Sequence, residues 1–187
     1  MHALVSLAKE AVEKYIKERK VIRSPLDLPE EFLDKKAGVF VTIEKEGKLR
    51  GCIGTYLPTK ENIADEIIHN AIAAATEDYR FGMIEEKELP FLSYRVYILS
   101  LPELVNDFSQ LNPYRYGIIV KTLPISPSNQ SDVLFDGSPS VKTGLLLPDL
   151  EGIDTIEKQI AIASQKADIN PLEEKIVIYR FSVEKYK

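Results

Sequence analysis

Apolar residues recur at helical spacing near the start of the chain. Leu4, Leu7, Ala8, Ala11, Val12, Tyr15 and Ile16 share one stripe, which predicts an amphipathic helix over 4–16. Pro25 and Pro29 punctuate the loop that follows. The period then changes to two. Val39, Val41 and Ile43 alternate with Phe40, Thr42 and Glu44, and Gly47 interrupts the run, so 38–54 predicts a β-hairpin. Helical spacing returns with Ile63, Ala64, Ile67, Ile68, Ala71, Ile72 and Ala75. Pro58-Thr59-Lys60-Glu61 opens this helix with Thr59 as its N-cap, and His69 falls on the polar side. Strands are predicted over 92–100 and 116–122, both rich in β-branched and aromatic residues. Residues 123–142 collect proline and serine and read as a loop excursion, whose apolar Val133-Leu134-Phe135 is placed to dock on the body. An apolar strand from Gly144 breaks at Pro148. Asp154-Thr155 then caps a third helix bearing Ile156, Ile160, Ala161, Ala163 and Ala167, and a single strand over 175–186 closes the chain. The order α-β-β-α-β-β-β-α-β with hairpin connections predicts the α+β class: a mainly antiparallel sheet with flanking helices.

Composition narrows the functions open to this pattern. With 44% hydrophobic and 28% charged residues, the 187-residue chain can bury one sizeable core or two small lobes. Its net charge is −5 and its longest basic run is Lys35-Lys36, which argues against general nucleic-acid binding. No run approaches the roughly 18 apolar residues of a membrane span. The opening MHALVSLAKEAVEKY lacks the features of a signal peptide, so the expected location is the cytoplasm. One cysteine and two histidines, His2 and His69, leave no internal disulfide and no thiolate-rich metal centre. Neither a metal nor a cofactor is expected.

The single cysteine sits in Lys48-Leu-Arg-Gly-Cys-Ile-Gly-Thr55. Strand alternation puts Arg50 and Cys52 on one face and Leu49, Gly51 and Ile53 on the other. A two-residue turn at Glu46-Gly47 would set Cys52 opposite Val41. A three-residue turn would set Cys52 opposite Thr42, Ile53 opposite Val41 and Arg50 opposite Glu44. The second register separates apolar from polar residues and pairs opposite charges, and is preferred. Cys52 would then lie on a polar face beside a guanidinium, which favours the thiolate form of a nucleophile or redox group. Gly51 and Gly54 would let a ligand approach the backbone, Thr55 would donate at the mouth, and Arg50 would hold an anionic group. The alternative is a small buried cysteine in a tightly packed strand. Asp78 and Arg80 form a second pair, read either as anion binders that also orient Arg50 or as an ion pair that fixes a helix-end turn. Glu85, Glu86 and Glu88 read as a solvated helix or turn. Tyr94, Tyr97, Tyr114 and Tyr116 are pocket-lining candidates, although strands favour tyrosine in any case.

LRGCIGT followed by a long helix, DYRF (78–81), a strand ending in Leu99-Ser100, a Tyr116-Gly117 strand, LLLPDLEGIDT (145–155) and RFSV (180–183) resembles the AMMECR domain. The narrower resemblance is to its bacterial and archaeal form, AmmeMemoRadiSam system protein A. It spans nearly all of 1–187 as a single AMMECR domain. It implies a two-lobed α+β fold with the LRGCIG segment near a cleft between lobes. It also implies association, in gene context, with a Memo-like protein and a radical S-adenosylmethionine enzyme, but it names no reaction. Tyr79 stands where the family often has proline, and 123–142 is longer than the family's usual short turn. Two functions follow. One is a ligand-binding or enzymatic component built on Cys52 with Arg50, Gly51, Gly54, Thr55, Asp78 and Arg80. The other is a non-catalytic module that presents substrate to those two partners.

Overall fold

A computed structural model describes residues 1–123 and 141–187. Most of the predicted excursion, Val133-Leu134-Phe135 included, lies outside the described residues. The chain divides into two compact units, Met1–Leu101 with Glu184–Lys187, and Pro102–Val183. Both are α+β with antiparallel pairing, in agreement with the predicted class.

The first unit carries helices α1 (Ala3–Glu18), α2 (Glu30–Asp34) and α3 (Ile63–Thr76). Its sheet contains β1 (Gly38–Lys45), β2 (Lys48–Thr55), β3 (Leu92–Leu99) and β8 (Val183–Tyr186), in the order β2-β1-β3-β8. The two sequence periods meet in one core. Val39, Val41 and Ile43 of β1 and Val96 and Ile98 of β3 pack against Leu4, Ala8, Ala11 and Val12 of α1 and Ile67 and Ala71 of α3. Each fully buried aliphatic side chain there contributes about 1.5–3 kcal/mol. The α3 start differs from the prediction. Asn62, not Thr59, is the N-cap, its side chain accepting from the Asp65 amide at 2.8 Å. Thr59 is drawn instead to Glu66, as described below. The Pro25–Pro29 loop leads into α2, a single turn that adds Phe32 to the core.

The second unit holds β4 (Glu103–Leu104), β5 (Gly117–Thr122), β6 (Thr143–Leu146) and β7 (Ile176–Phe181) in the order β4-β7-β5-β6, with α4 (Ile156–Lys166). Ile118, Val120, Leu146 and Ile178 pack with Ala163 of α4. Thr155 caps α4 as predicted, accepting from the Lys158 amide at 3.2 Å. Ala161 turns to solvent instead of the apolar side, and Gln159 takes a buried place, donating to the Tyr116 carbonyl at 2.8 Å. The closing strand expected over 175–186 is two strands. β7 belongs to the second unit's sheet and β8 to the first unit's, so the alternation is only partial because the two halves serve different cores.

Candidate functional site

The β1–β2 hairpin sets the position of Cys52. Its turn has two residues, Glu46 (φ 52°) and Gly47 (φ 78°), with Lys45 paired to Lys48. Both φ values are positive, the geometry that matches the twist of a tight hairpin. Left alone, this turn would set Cys52 opposite Val41. A β-bulge intervenes: Glu44 pairs with Leu49 and Ile43 with Gly51, so Arg50 is the extra residue. Thr42 therefore faces Cys52 and Val41 faces Ile53, the preferred register, reached by a bulge instead of a three-residue turn. The expected Arg50–Glu44 pairing does not form. Glu44 binds Arg95 across β3 at 2.7 Å instead.

Arg50, freed from the ladder, turns to the segment after α3. Its Nε and one Nη donate to the two Glu88 oxygens at 3.1 and 2.9 Å. Its Nη atoms also donate to the carbonyls of Gly82 and Met83, each at 3.1 Å. With four hydrogen bonds to protein acceptors and a side chain 15% exposed, the guanidinium clamps β2 to the segment after α3. Glu88 is correspondingly buried, not solvated as its acidic run suggests. The Arg50 hydrogen bonds pull its carboxyl down to about 2 against the opposing effect of burial, helped by the Glu85 amide and Lys45.

β2 is an edge strand, and at Cys52 its open edge is closed by side chains. The Cys52 amide donates to Asp78 Oδ2 at 2.8 Å, and the Cys52 carbonyl accepts from an Arg80 Nη at 3.4 Å. Arg80 also grips Asp78 with Nε at 2.8 Å and Nη2 at 2.7 Å. The clasp stands at the end of α3, where Phe81 and Gly82 donate their amides to the Asp78 carbonyl. Asp78 is only 3% exposed. The Arg80 hydrogen bonds hold its carboxyl down to about 2, against burial and with help from the Cys52 amide. The reading of Asp78 and Arg80 as a turn-fixing ion pair thus describes their geometry, except that the pair reaches Cys52 and not Arg50. Arg80, not Arg50, is the cation beside the cysteine: its charge is favoured first by Asp78 and more weakly by Cys52. Its Nη1 makes no hydrogen bond among the described residues, and the guanidinium stacks 5.2 Å from the Phe81 ring centre.

The sulfur lies on the face opposite the helices. The residues opposite Val39, Val41 and Ile43 point with them into the core, so Cys52 and Thr42 share the other face with Phe40 and Gly54. Cys52 is half-buried, and Thr42 Oγ1 donates to its Sγ at 3.2 Å. The glycines flanking it are not openings for a ligand. A Cβ on Gly51 would lie 2.2 Å from the Ala74 carbonyl oxygen, so this position sets how closely α3 approaches the sheet. The space above Gly54 is filled by the Phe40 ring. Thr55 donates inward to Glu66 at 2.7 Å, not toward a mouth.

Glu66 and Asn70 were invisible to the sequence reading because they sit on the apolar stripe of α3. Glu66 is fully buried and accepts from Thr55 Oγ1, Thr59 Oγ1 and the amides of Thr59 and Lys60 at 2.7–2.8 Å. Burial acts to raise its carboxyl, but these donors together hold it below the ordinary range. Asn70 donates to the Val39 carbonyl at 3.0 Å. A signal existed in principle: a glutamate inside a helix stripe needs donors, and Thr55, Thr59 and Lys60 are the nearest polar run. His69 lies on the exposed face of α3. Of the tyrosines, Tyr94 is buried in the first core and Tyr114 is exposed. Among the described residues no three His, Cys, Asp or Glu side chains gather as a metal site, and no helix is long and apolar enough to cross a membrane.

Known proteins resemble this chain in sequence, and one solved structure resembles it in fold. A protein of Thermotoga maritima is 46% identical over 187 residues, covering 100% of this chain and 98% of its own length. A protein of Clostridium acetobutylicum is 40% identical over 184 residues, 98% of this chain but 35% of that longer protein. The crystal structure of an uncharacterised protein from Pyrococcus horikoshii superposes with a TM-score of 0.80 at 31% identity, covering 97% of this chain and 88% of that one. The AMMECR1 family matches residues 5–186, and the chain belongs to that family.

Proposed function

We propose that the chain is a ligand-binding or enzymatic component of a cytoplasmic pathway shared with a Memo-like protein and a radical S-adenosylmethionine enzyme, and that Cys52 is its working group. The observation that carries this reading is the grip on the Cys52 backbone. Asp78 holds its amide, Arg80 holds its carbonyl, and the residue is half-buried with its sulfur beside the Thr42 hydroxyl. A cysteine that is only partly buried on a fixed backbone is how a reactive thiol is presented, and a neighbouring guanidinium favours its thiolate. Arg80 Nη1 is the donor that would meet an anionic group on the ligand. His69 is turned to solvent, so the site suits thiolate attack on an electrophile or thiol redox chemistry more than acyl transfer, which needs an adjacent base.

The test is the alkylation rate of Cys52 in the native chain against the urea-unfolded chain. The reading expects reaction in the native state that slows several-fold in Arg80→Ala and not in Arg50→Lys. A thiol silent until unfolding ends it. A second reading, a non-catalytic module that presents substrate to the same two partners, draws support from the Clostridium acetobutylicum relative, in which this fold is joined to a further length of polypeptide. Titration with each purified partner tests it, and binding to neither rejects it.

A further inference from the structure

We propose that Met83 is a site of reversible oxidation by hydroperoxide, and that Arg19 is placed to receive the sulfoxide oxygen. This inference is independent of the Cys52 reading and uses a different part of the first unit.

Arg19 ends α1 in the left-handed region (φ 56°), with its amide bonded to the Tyr15 carbonyl at 2.9 Å and its guanidinium 5.6 Å from the Tyr15 ring centre. Its Nη1 and Nη2 lie 3.6 and 3.7 Å from Met83 Sδ. The neighbouring Glu18 is occupied by Lys14 and Lys20, and among the described residues no carboxylate pairs with Arg19. A charged fork therefore faces a thioether, one of the weakest acceptors in a protein. Met83 is held for this encounter. Its carbonyl accepts from Arg50 at 3.1 Å, and the next residue, buried Ile84, donates its amide to the Ala75 carbonyl at 2.8 Å. The residue is 49% exposed, within reach of a small oxidant in solution.

The step is a two-electron transfer. The sulfur lone pair attacks one peroxide oxygen, the O–O bond breaks and an S–O bond forms. The departing hydroxide takes the proton from the transferred oxygen and leaves as water. The thioether is oxidised to the sulfoxide and the peroxide reduced. Rotation about the terminal bonds of the half-exposed side chain turns the new oxygen toward the guanidinium. A weak sulfur contact becomes a charge-assisted hydrogen bond to a polar oxygen. The end of α1 is then tied to the 82–84 segment, the same segment whose carbonyls anchor Arg50. Oxidation, which usually loosens methionine-containing structure, tightens it here.

The full chain treated with hydrogen peroxide tests this. Peptide mass analysis follows oxygen uptake at Met83 and at Met1, the only other methionine, which serves as an exposed control. Thermal unfolding is measured before and after oxidation in the native chain, in Arg19→Ala and in Met83→Leu, a volume-conserving change that keeps the fold. The expected result is one oxygen gained at Met83 and a Tm raised by about 2–4 °C, the shift of a single strengthened hydrogen bond in a chain of this size. The rise is absent in both variants and is reversed by methionine sulfoxide reductase. Three results overturn the proposal: Met83 intact while Met1 is oxidised, an unchanged or lowered Tm in the native chain, or the same rise in Arg19→Ala.

Discussion

Replacing Asp78 by asparagine tests whether the clasp on Cys52 is electrostatic. The change keeps the shape of the side chain and removes its charge. Both Asp78 oxygens are in use, one by Arg80 Nε and the Arg80 amide, the other by Arg80 Nη2 and the Cys52 amide. Whichever way the amide turns, its NH2 group faces donors. The magnitude follows from the carboxyl's depression from 3.8 to about 2. One pKa unit corresponds to about 1.4 kcal/mol, so ionised Asp78 contributes about 2 kcal/mol at neutral pH. Because the folded-state value is the lower one, the contribution is complete above the unfolded value and is lost as pH falls from 3.8 toward 2. About half of it is gone by pH 3. Urea unfolding at pH 7 and pH 3 gives the comparison. The variant is expected to be less stable by about 2–3 kcal/mol at pH 7, with the gap roughly halved at pH 3 because the unfolded chain already binds a proton at Asp78 there, while the folded chain, its carboxyl held near 2, does not. Hydrogen exchange at the Cys52 amide accelerates alongside. A gap that does not change with pH, or one below about 0.5 kcal/mol at pH 7, refutes the reasoning.

Two further changes probe the scaffold of the site. Arg50→Lys keeps the charge but loses the fork that reaches Glu88 and the Gly82 and Met83 carbonyls together. It should cost about 1.5–3 kcal/mol in urea unfolding, and an unchanged midpoint would show that the fork geometry is dispensable. Gly51→Ala forces a methyl against the Ala74 carbonyl of α3, backbone that cannot rotate away. A loss of about 1–3 kcal/mol or more is expected, and a calorimetric Tm equal to that of the native chain would mean the helix shifts freely.

The sequence alone determined the elements whose period is long and clean. The α1 stripe, the β1 alternation, the α3 stripe and the Thr155 cap are each fixed by residues close along the chain, so local spacing states them directly. It also determined the α+β class and the pairing of Cys52 with Thr42, because only that register keeps Val41 and Ile53 together on the apolar face. Tertiary structure decided the rest. The residues 175–186 read as one partly alternating strand in sequence, yet they serve two sheets, and no local signal separates Phe181 from Val183. The bulge at Arg50 arises because a tight two-residue turn and the apolar register conflict by one residue. The displaced guanidinium then finds Glu88, 38 residues away. The same distance problem hid Asp78, 26 residues from Cys52, as the partner of its amide. A buried charge is tolerated only where donors from remote segments converge on it, and that convergence exists only once the chain has folded.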